Sequence, residues 1–143
     1  MQKERRERME NLLRYRAWDK IRKKMGVVIS NNWMTGVANI IIDNKETLRQ
    51  EQDYILMQST GLKDKNGKEI FEGDIVKTTR FFGRADEVGG FYEYDKEIIG
   101  VVKQLEGTWV IDTGSEAVDL WTEIEENSVI GNVCESPFCG GKQ

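Results

Sequence analysis

Residues 54–76, YILMQSTGLKDKNGKEIFEGDIV, decide how this chain is read. The stretch opens as an apolar, strand-forming run, passes through Asn66-Gly67, and leaves through Glu72-Gly73-Asp74 into Ile75-Val76. Asn-Gly is the strongest short signal for a two-residue type I′ hairpin, because both central residues take positive φ. Gly73 marks a second reversal, since it reaches backbone conformations that other residues resist. Two tight turns this close together predict the entry to a compact β structure.

Working outward toward the C-terminus, residues 74–80 form one strand and 98–105 (IIGVVKQL) a second. Glu106-Gly107 turns the chain into 108–112 (TWVID), and residues 117–121 and 128–133 follow as shorter strands. The acidic stretch 123–127 reads as a single helical or 3₁₀ turn before the last of them. Five short strands with a tight turn ahead of the closing one is the order of an SH3-like barrel. Closure of such a barrel removes sheet edges that would otherwise invite aggregation. Between the first two strands, residues 81–97 (FFGRADEVGGFYEYDKE) read as a long aromatic and acidic loop.

Toward the N-terminus, residues 54–58, 47–50, 36–43 (GVANIIID) and 26–30 read as a meander of short strands, with a turn at Asp43-Asn44-Lys45. Residues 3–13 are good helix formers with Glu and Arg set for i,i+4 pairing. Met9, Leu13, Ala17 and Ile21 extend one helical stripe, while Leu13, Tyr15 and Ala17 alternate as a strand would. Periodicity leaves both readings of residues 13–18 open. The expected class is therefore α+β: an N-terminal helix and short strands over residues 1–58, then a small, mostly β, SH3-like barrel over 59–143.

At 143 residues the chain is long enough to bury a core without covalent staples. Its net charge of −4 is uneven: residues 1–25 carry ten Lys and Arg against four Asp and Glu, leaving −10 for the rest. A basic arm ahead of an acidic body suits contact with that body, or with a second copy, better than with a phosphate backbone that the body would repel. There is no histidine, and Cys134 and Cys139 alone do not make a zinc set or a disulfide framework, so two reduced thiols and no metal are expected. No apolar run approaches the length of a membrane span.

Three runs carry a resemblance. Residues 56–76 (LMQSTGLKDKNGKEIFEGDIV) resemble the signature of the YopX family, small proteins encoded by bacteriophages and prophages. Tyr15-Arg16-Ala17-Trp18-Asp19-Lys20, continued by Lys23-Lys24-Met25, is similar to that family's opening motif. Val129-Ile130-Gly131-Asn132-Val133, with Glu135 and Pro137, is similar to its closing motif. Residues 1–10 extend beyond the usual start, Ser59 stands where an aromatic is common, and residues 81–97 fall in a variable region. The resemblance implies an N-terminal α+β part before a small β barrel, and an extended rather than helical run through residues 14–18. It implies no activity, because the family has no established biochemical function, and so no catalytic or binding residue is carried over.

The candidate chemistry is sparse. Asp64, Glu69, Glu72 and Asp74 cluster near the central turns, where a carboxylate or metal-dependent enzyme would need them, but Asp and Gly are also ordinary turn chemistry, and that reading is the stronger. Gly83, Gly89 and Gly90 lack phosphate-loop spacing, and neither cysteine has a base partner. No catalytic residue, cofactor or metal site is expected, and the protein is read as a non-enzyme. The partner-binding candidates are Phe81, Phe82, Arg84, Phe91, Tyr92 and Tyr94, aromatic side chains with one cation on a scaffolded loop. Asp86, Glu87, Glu93, Asp95 and Glu97 in the same segment disfavour nucleic acid. Trp18, Trp33, Trp109 and Trp121 are assigned to core packing. The expectation is a self-associating, protein-binding accessory protein of phage or prophage origin in the cytoplasm of the bacterial host. A nucleic-acid binder using the basic arm (Arg5, Arg6, Arg8, Arg14, Arg16, Arg22, Lys23 and Lys24) is the alternative.

Overall fold

The protein is described from a computed structural model, which describes residues 14–85, 89–120 and 126–135. The chain divides into two compact units, residues 1–61 and 62–143.

In the first unit, β1 (Tyr15–Asp19), β2 (Lys24–Asn32), β3 (Val37–Ile42), β4 (Lys45–Arg49) and β5 (Tyr54–Lys63) pair antiparallel in the order β4-β3-β2-β1-β5. A single 3₁₀ turn, Glu51–Asp53, separates β4 from β5. Period-2 burial in β3 turns Ala38, Ile40 and Ile42 inward, where they pack with Ala17 and Tyr54. Gly26 of β2 lies beneath that cluster: a Cβ there would fall 2.7 Å from the Ile41 carbonyl oxygen and 2.8 Å from Ile42 Cγ1. A bulge between Val28 and Ser30 bends β2, and Arg49 at the end of β4 reaches back to Asp19 at the end of β1 (Nε to Oδ1 2.8 Å, Nη2 to Oδ2 3.2 Å). Those strands stand three places apart, about 14 Å on a flat sheet. The sheet is therefore coiled.

β5 crosses the boundary between the units, and the chain turns back through residues 64–68 into β6 (Glu69–Phe71). The second unit continues with β7 (Asp74–Ala85), β8 (Phe91–Leu105), β9 (Thr108–Asp112), β10 (Ala117–Asp119) and β11 (Ser128–Asn132), paired in the order β10-β9-β8-β7-β11. Its core is Ile70, Val76, Ile98, Val102, Ile111 and Leu120, with Leu62, Trp109, Val118 and Val129 packed on it. The features of the first unit return. Gly100 of β8 lies under β9, with a virtual Cβ 2.5 Å from the Asp112 carbonyl oxygen. An arginine again ties the first strand to the fourth, Arg80 of β7 donating to the Asp119 carbonyl of β10.

The α+β expectation is overturned. Among the described residues the chain is strand and turn apart from Glu51–Asp53, and Tyr15–Asp19 is a strand whose partners on both sides are β2 and β5. The expected meander is itself part of a six-stranded sheet, in the order β4-β3-β2-β1-β5-β6, in which β5 lies beside β1 as β11 lies beside β7. Among the described residues no ladder joins β10 to β11, the two ends of the second sheet. The expected helix over residues 3–13, the 3₁₀ turn at 123–127 over its first three residues, and Trp121 lie outside the described residues.

Turn chemistry explains a further difference. Asn66-Gly67 is not a type I′ pair: Gly67 alone takes positive φ (82°), and Asp64 N donates to the Lys68 carbonyl across a three-residue loop. The two-residue turns with both φ positive are Asp43-Asn44 (52° and 66°) and Glu106-Gly107 (51° and 81°).

Candidate functional site

Asp64 was the centre of the carboxylate reading, and its geometry is that of a turn and strand anchor. Oδ1 accepts from the Asn66 and Lys68 amides at 2.9 and 2.8 Å, and Oδ2 from the Val129 amide of β11 at 3.0 Å. Burial raises its pKa, but these three amides outweigh burial and hold the carboxyl below its ordinary value. Asp74 Oδ2 accepts from the Phe71 amide at 2.8 Å across the Glu72-Gly73 turn. Among the described residues no three His, Cys, Asp or Glu side chains are grouped to hold a metal.

The partner-binding candidates fall in strand rather than loop. The β7–β8 ladder runs without a register shift from Ile75 opposite Val101 to Ala85 opposite Phe91. It sets Phe81 opposite Asp95, Phe82 opposite Tyr94 and Arg84 opposite Tyr92. The side chains of these six candidates lie outside the described residues, as do residues 86–88.

The basic stretch is described from Arg14 onward. Lys20, Arg22, Lys23 and Lys24 sit on the exposed β1–β2 turn. Arg22 and Lys24 both reach Asp43 Oδ2, at 3.3 and 2.6 Å, and Lys20 Nζ donates to the Gln52 carbonyl at 3.1 Å. The Lys24 ammonium, and more weakly the Arg22 guanidinium, hold the Asp43 carboxyl below its ordinary pKa. The expected basic arm over residues 1–13 lies outside the described residues.

A feature that sequence reasoning missed stands at the β2–β3 turn. Trp33 and Met34, assigned to the core and to no role respectively, are 75% and 96% exposed. They are not on a loose loop. Asn32 Oδ1 accepts from the Met34 and Thr35 amides at 2.9 and 3.3 Å, Gly36 N donates to the Asn32 carbonyl at 2.7 Å, and Thr35 Oγ1 accepts from the Val37 amide. This is the local hydrogen bonding that Asn and Thr supply in turns. The tip borders an open cleft of about 570 Å³ whose wall includes Val37 and the 65%-exposed Leu48, and no charged side chain lines it. Asn31 Oδ1 and Asn39 Oδ1, in the same wall, are buried without a hydrogen-bond partner among the described residues. The available signal was Asn-Asn-Trp-Met-Thr-Gly itself: a large apolar pair inside turn chemistry, where no core position exists to receive it.

Residues 14–138 match the family model described as YopX protein, nearly the whole chain. The chain belongs to the YopX family. Its likeness to a solved member of the structural record, titled "Crystal structure of protein EF1440 from Enterococcus faecalis", has a TM-score of 0.51 and 25% identity, over 88% of this chain and 96% of that one. No curated protein matches the chain. The YopX motifs coincide with structural anchors: the opening motif is β1 with its buried Asp19, the central one holds Asp64, and the closing one is β11 with its bulge at Ile130. Membership thus accounts for the residues that build the two sheets. No described helix is long and apolar enough to cross a membrane.

Proposed function

We propose that this YopX-family chain is a non-enzymatic protein-binding module, phage- or prophage-encoded and acting in the host cytoplasm, that engages its partner through the β2–β3 turn. The observation that carries this reading is the pair Trp33 and Met34, held almost fully in solvent by an ordered turn. Fixing large apolar groups in water stabilises nothing in the free chain, whereas tryptophan anchors dominate binding energy at protein interfaces. The uncharged cleft beside them suits an apolar side chain of a partner, and the two unpartnered Asn oxygens are the sort of local rule-breaking that concentrates at functional sites.

The test is a paired capture from host lysate with the wild-type chain and Trp33→Ser/Met34→Ser. The reading expects a protein retained by the wild type and lost from the variant, with unchanged melting of the variant. Identical captures by both would overturn it. The nucleic-acid alternative has its surface at the β1–β2 turn; there, a band shift at low salt that weakens steeply as salt rises would favour it over protein binding.

A further inference from the structure

Four strands end a sheet: β4 and β6 in one, β10 and β11 in the other. β6 and β10 have three residues each, and β11 gives its Val129 amide to Asp64 while the Asn127 carbonyl beside it accepts from Lys65 N. β4 has five residues and no strand beyond it among the described residues. Its turn fixes which of its backbone groups face outward. In a two-residue turn with both φ positive, the closing pair Ile42 and Lys45 exchanges hydrogen bonds, and every second pair along the ladder does the same. Lys45, Thr47 and Arg49 therefore bond to β3, and Glu46 and Leu48 present their amides and carbonyls to the open side. Both residues are exposed. The Leu48 carbonyl accepts from Arg49 Nη1 at 3.1 Å, which leaves it one lone pair, and the other three groups have no hydrogen bond among the described residues.

This edge is weakly guarded. Charged side chains, lysine above all, are a common deterrent to strand addition, but Lys45 stands at the first position and Arg49 is drawn back to Asp19. Glu46 is then the charge at the centre of the edge, its carboxylate accepting from Asn39 Nδ2 at 2.8 Å. Leu48, opposite Asn39 in the register, is in the wall of the cleft beside Trp33 and Met34. Leu48 thus belongs to both the cleft and the open edge.

We infer that the partner of the β2–β3 turn continues onto β4 as an added antiparallel strand. Antiparallel addition lets one partner residue exchange both backbone bonds with Leu48, and the residue two further along do so with Glu46. Their side chains fall on the cleft face, the first beside Leu48 and the second beside the Glu46 carboxylate. The segment this selects is extended, with an apolar residue followed two positions later by Lys or Arg. Strand addition here rests on reading the β2–β3 turn as the docking point, and it adds the conformation and chemistry of what docks.

Amide NMR of the full chain, titrated with capped seven-residue peptides, tests the pairing. The first peptide has leucine third and lysine fifth in a threonine background. The second exchanges those two residues, and the third is the first with its lysine backbone nitrogen methylated. The first is expected to shift and protect the Glu46 and Leu48 amides together with the cleft residues, while Lys45, Thr47 and Arg49, already bonded to β3, stay protected throughout. The second is expected to bind more weakly, and the third about tenfold more weakly, because one backbone bond is lost. Equal binding by the first and third peptides, shifts confined to residues 31–37, or no shift at all would each overturn strand addition. So would protection of Glu46 and Leu48 that grows with concentration in the free chain, because a second copy then holds the edge. Lysate capture with Trp33→Ser/Met34→Ser judges the turn itself, whichever way the titration falls.

Discussion

Asp64 holds three backbone amides with one carboxylate, and Asp19 holds Arg49 and the Ile21 amide with another. Burial raises both pKa values, but the hydrogen bonds and, for Asp19, the Arg49 charge outweigh it, so both lie below the ordinary 3.8 in the folded chain. Protonation then favours the unfolded chain. Both groups contribute their full stability above about pH 4 and lose it as pH falls through their lowered values. A urea series from neutral pH downward is expected to show a steady midpoint to that limit and a steep fall below it. Asp64→Asn, which offers a single acceptor oxygen for three amides, is expected to flatten the acid limb and to cost about 1–3 kcal/mol at neutral pH. Arg49→Ala leaves the fully buried Asp19 carboxylate without its cation, and about 3–5 kcal/mol is the expected loss by denaturant unfolding. At Gly26 and Gly100 the neighbours of an added Cβ include backbone oxygens that cannot turn aside. Alanine at either is expected to lower stability by about 1–3 kcal/mol or more, with Gly100→Ala the worse because two Asp112 backbone atoms stand in the way.

At the scale of elements, strands announced themselves where one face is buried. Ala38, Ile40 and Ile42 alternate cleanly in β3, and the β8 and β9 runs flank a turn whose Gly107 sits at positive φ. The β7–β8 ribbon did not read as strand beyond Arg80, because Phe81 to Ala85 and Phe91 to Tyr94 mix aromatic, glycine and charged residues without a one-sided pattern; the ladder is set by register carried outward from the core. Tyr15 to Asp19 was open between helix and strand on periodicity, and what settles it is tertiary: both edges of β1 are taken by partners. The β2–β3 turn escaped notice because tryptophan is ordinarily a core residue, and only accessibility shows that Trp33 has no core to enter. Since Trp33 and Met34 are so exposed in the free chain, Trp33→Ser/Met34→Ser is expected to change stability by less than about 0.5 kcal/mol in denaturant unfolding.

Across the whole molecule, a six-stranded and a five-stranded sheet share three devices: a fifth strand beside the first, a glycine on the second strand under the third, and an arginine joining first and fourth. The devices are physical answers to one problem. A five-stranded sheet coils tightly only where its second strand lets a neighbour approach, and the coil then needs a tie across its open side. Part of the basic excess in the sequence lies on the β1–β2 turn, where Arg22 and Lys24 are answered by Asp43. Among the described residues no metal cluster is present, and the carboxylates Asp19 and Asp64 are occupied as structural ties. The most direct measurement is amide hydrogen exchange on the wild-type chain, alone and in complex with the protein it captures. The account predicts new protection at Trp33, Met34 and Thr35, with the ladders of β1, β3 and β5 unchanged. Protection confined to the β1–β2 turn, or absent from residues 32–37, would contradict it.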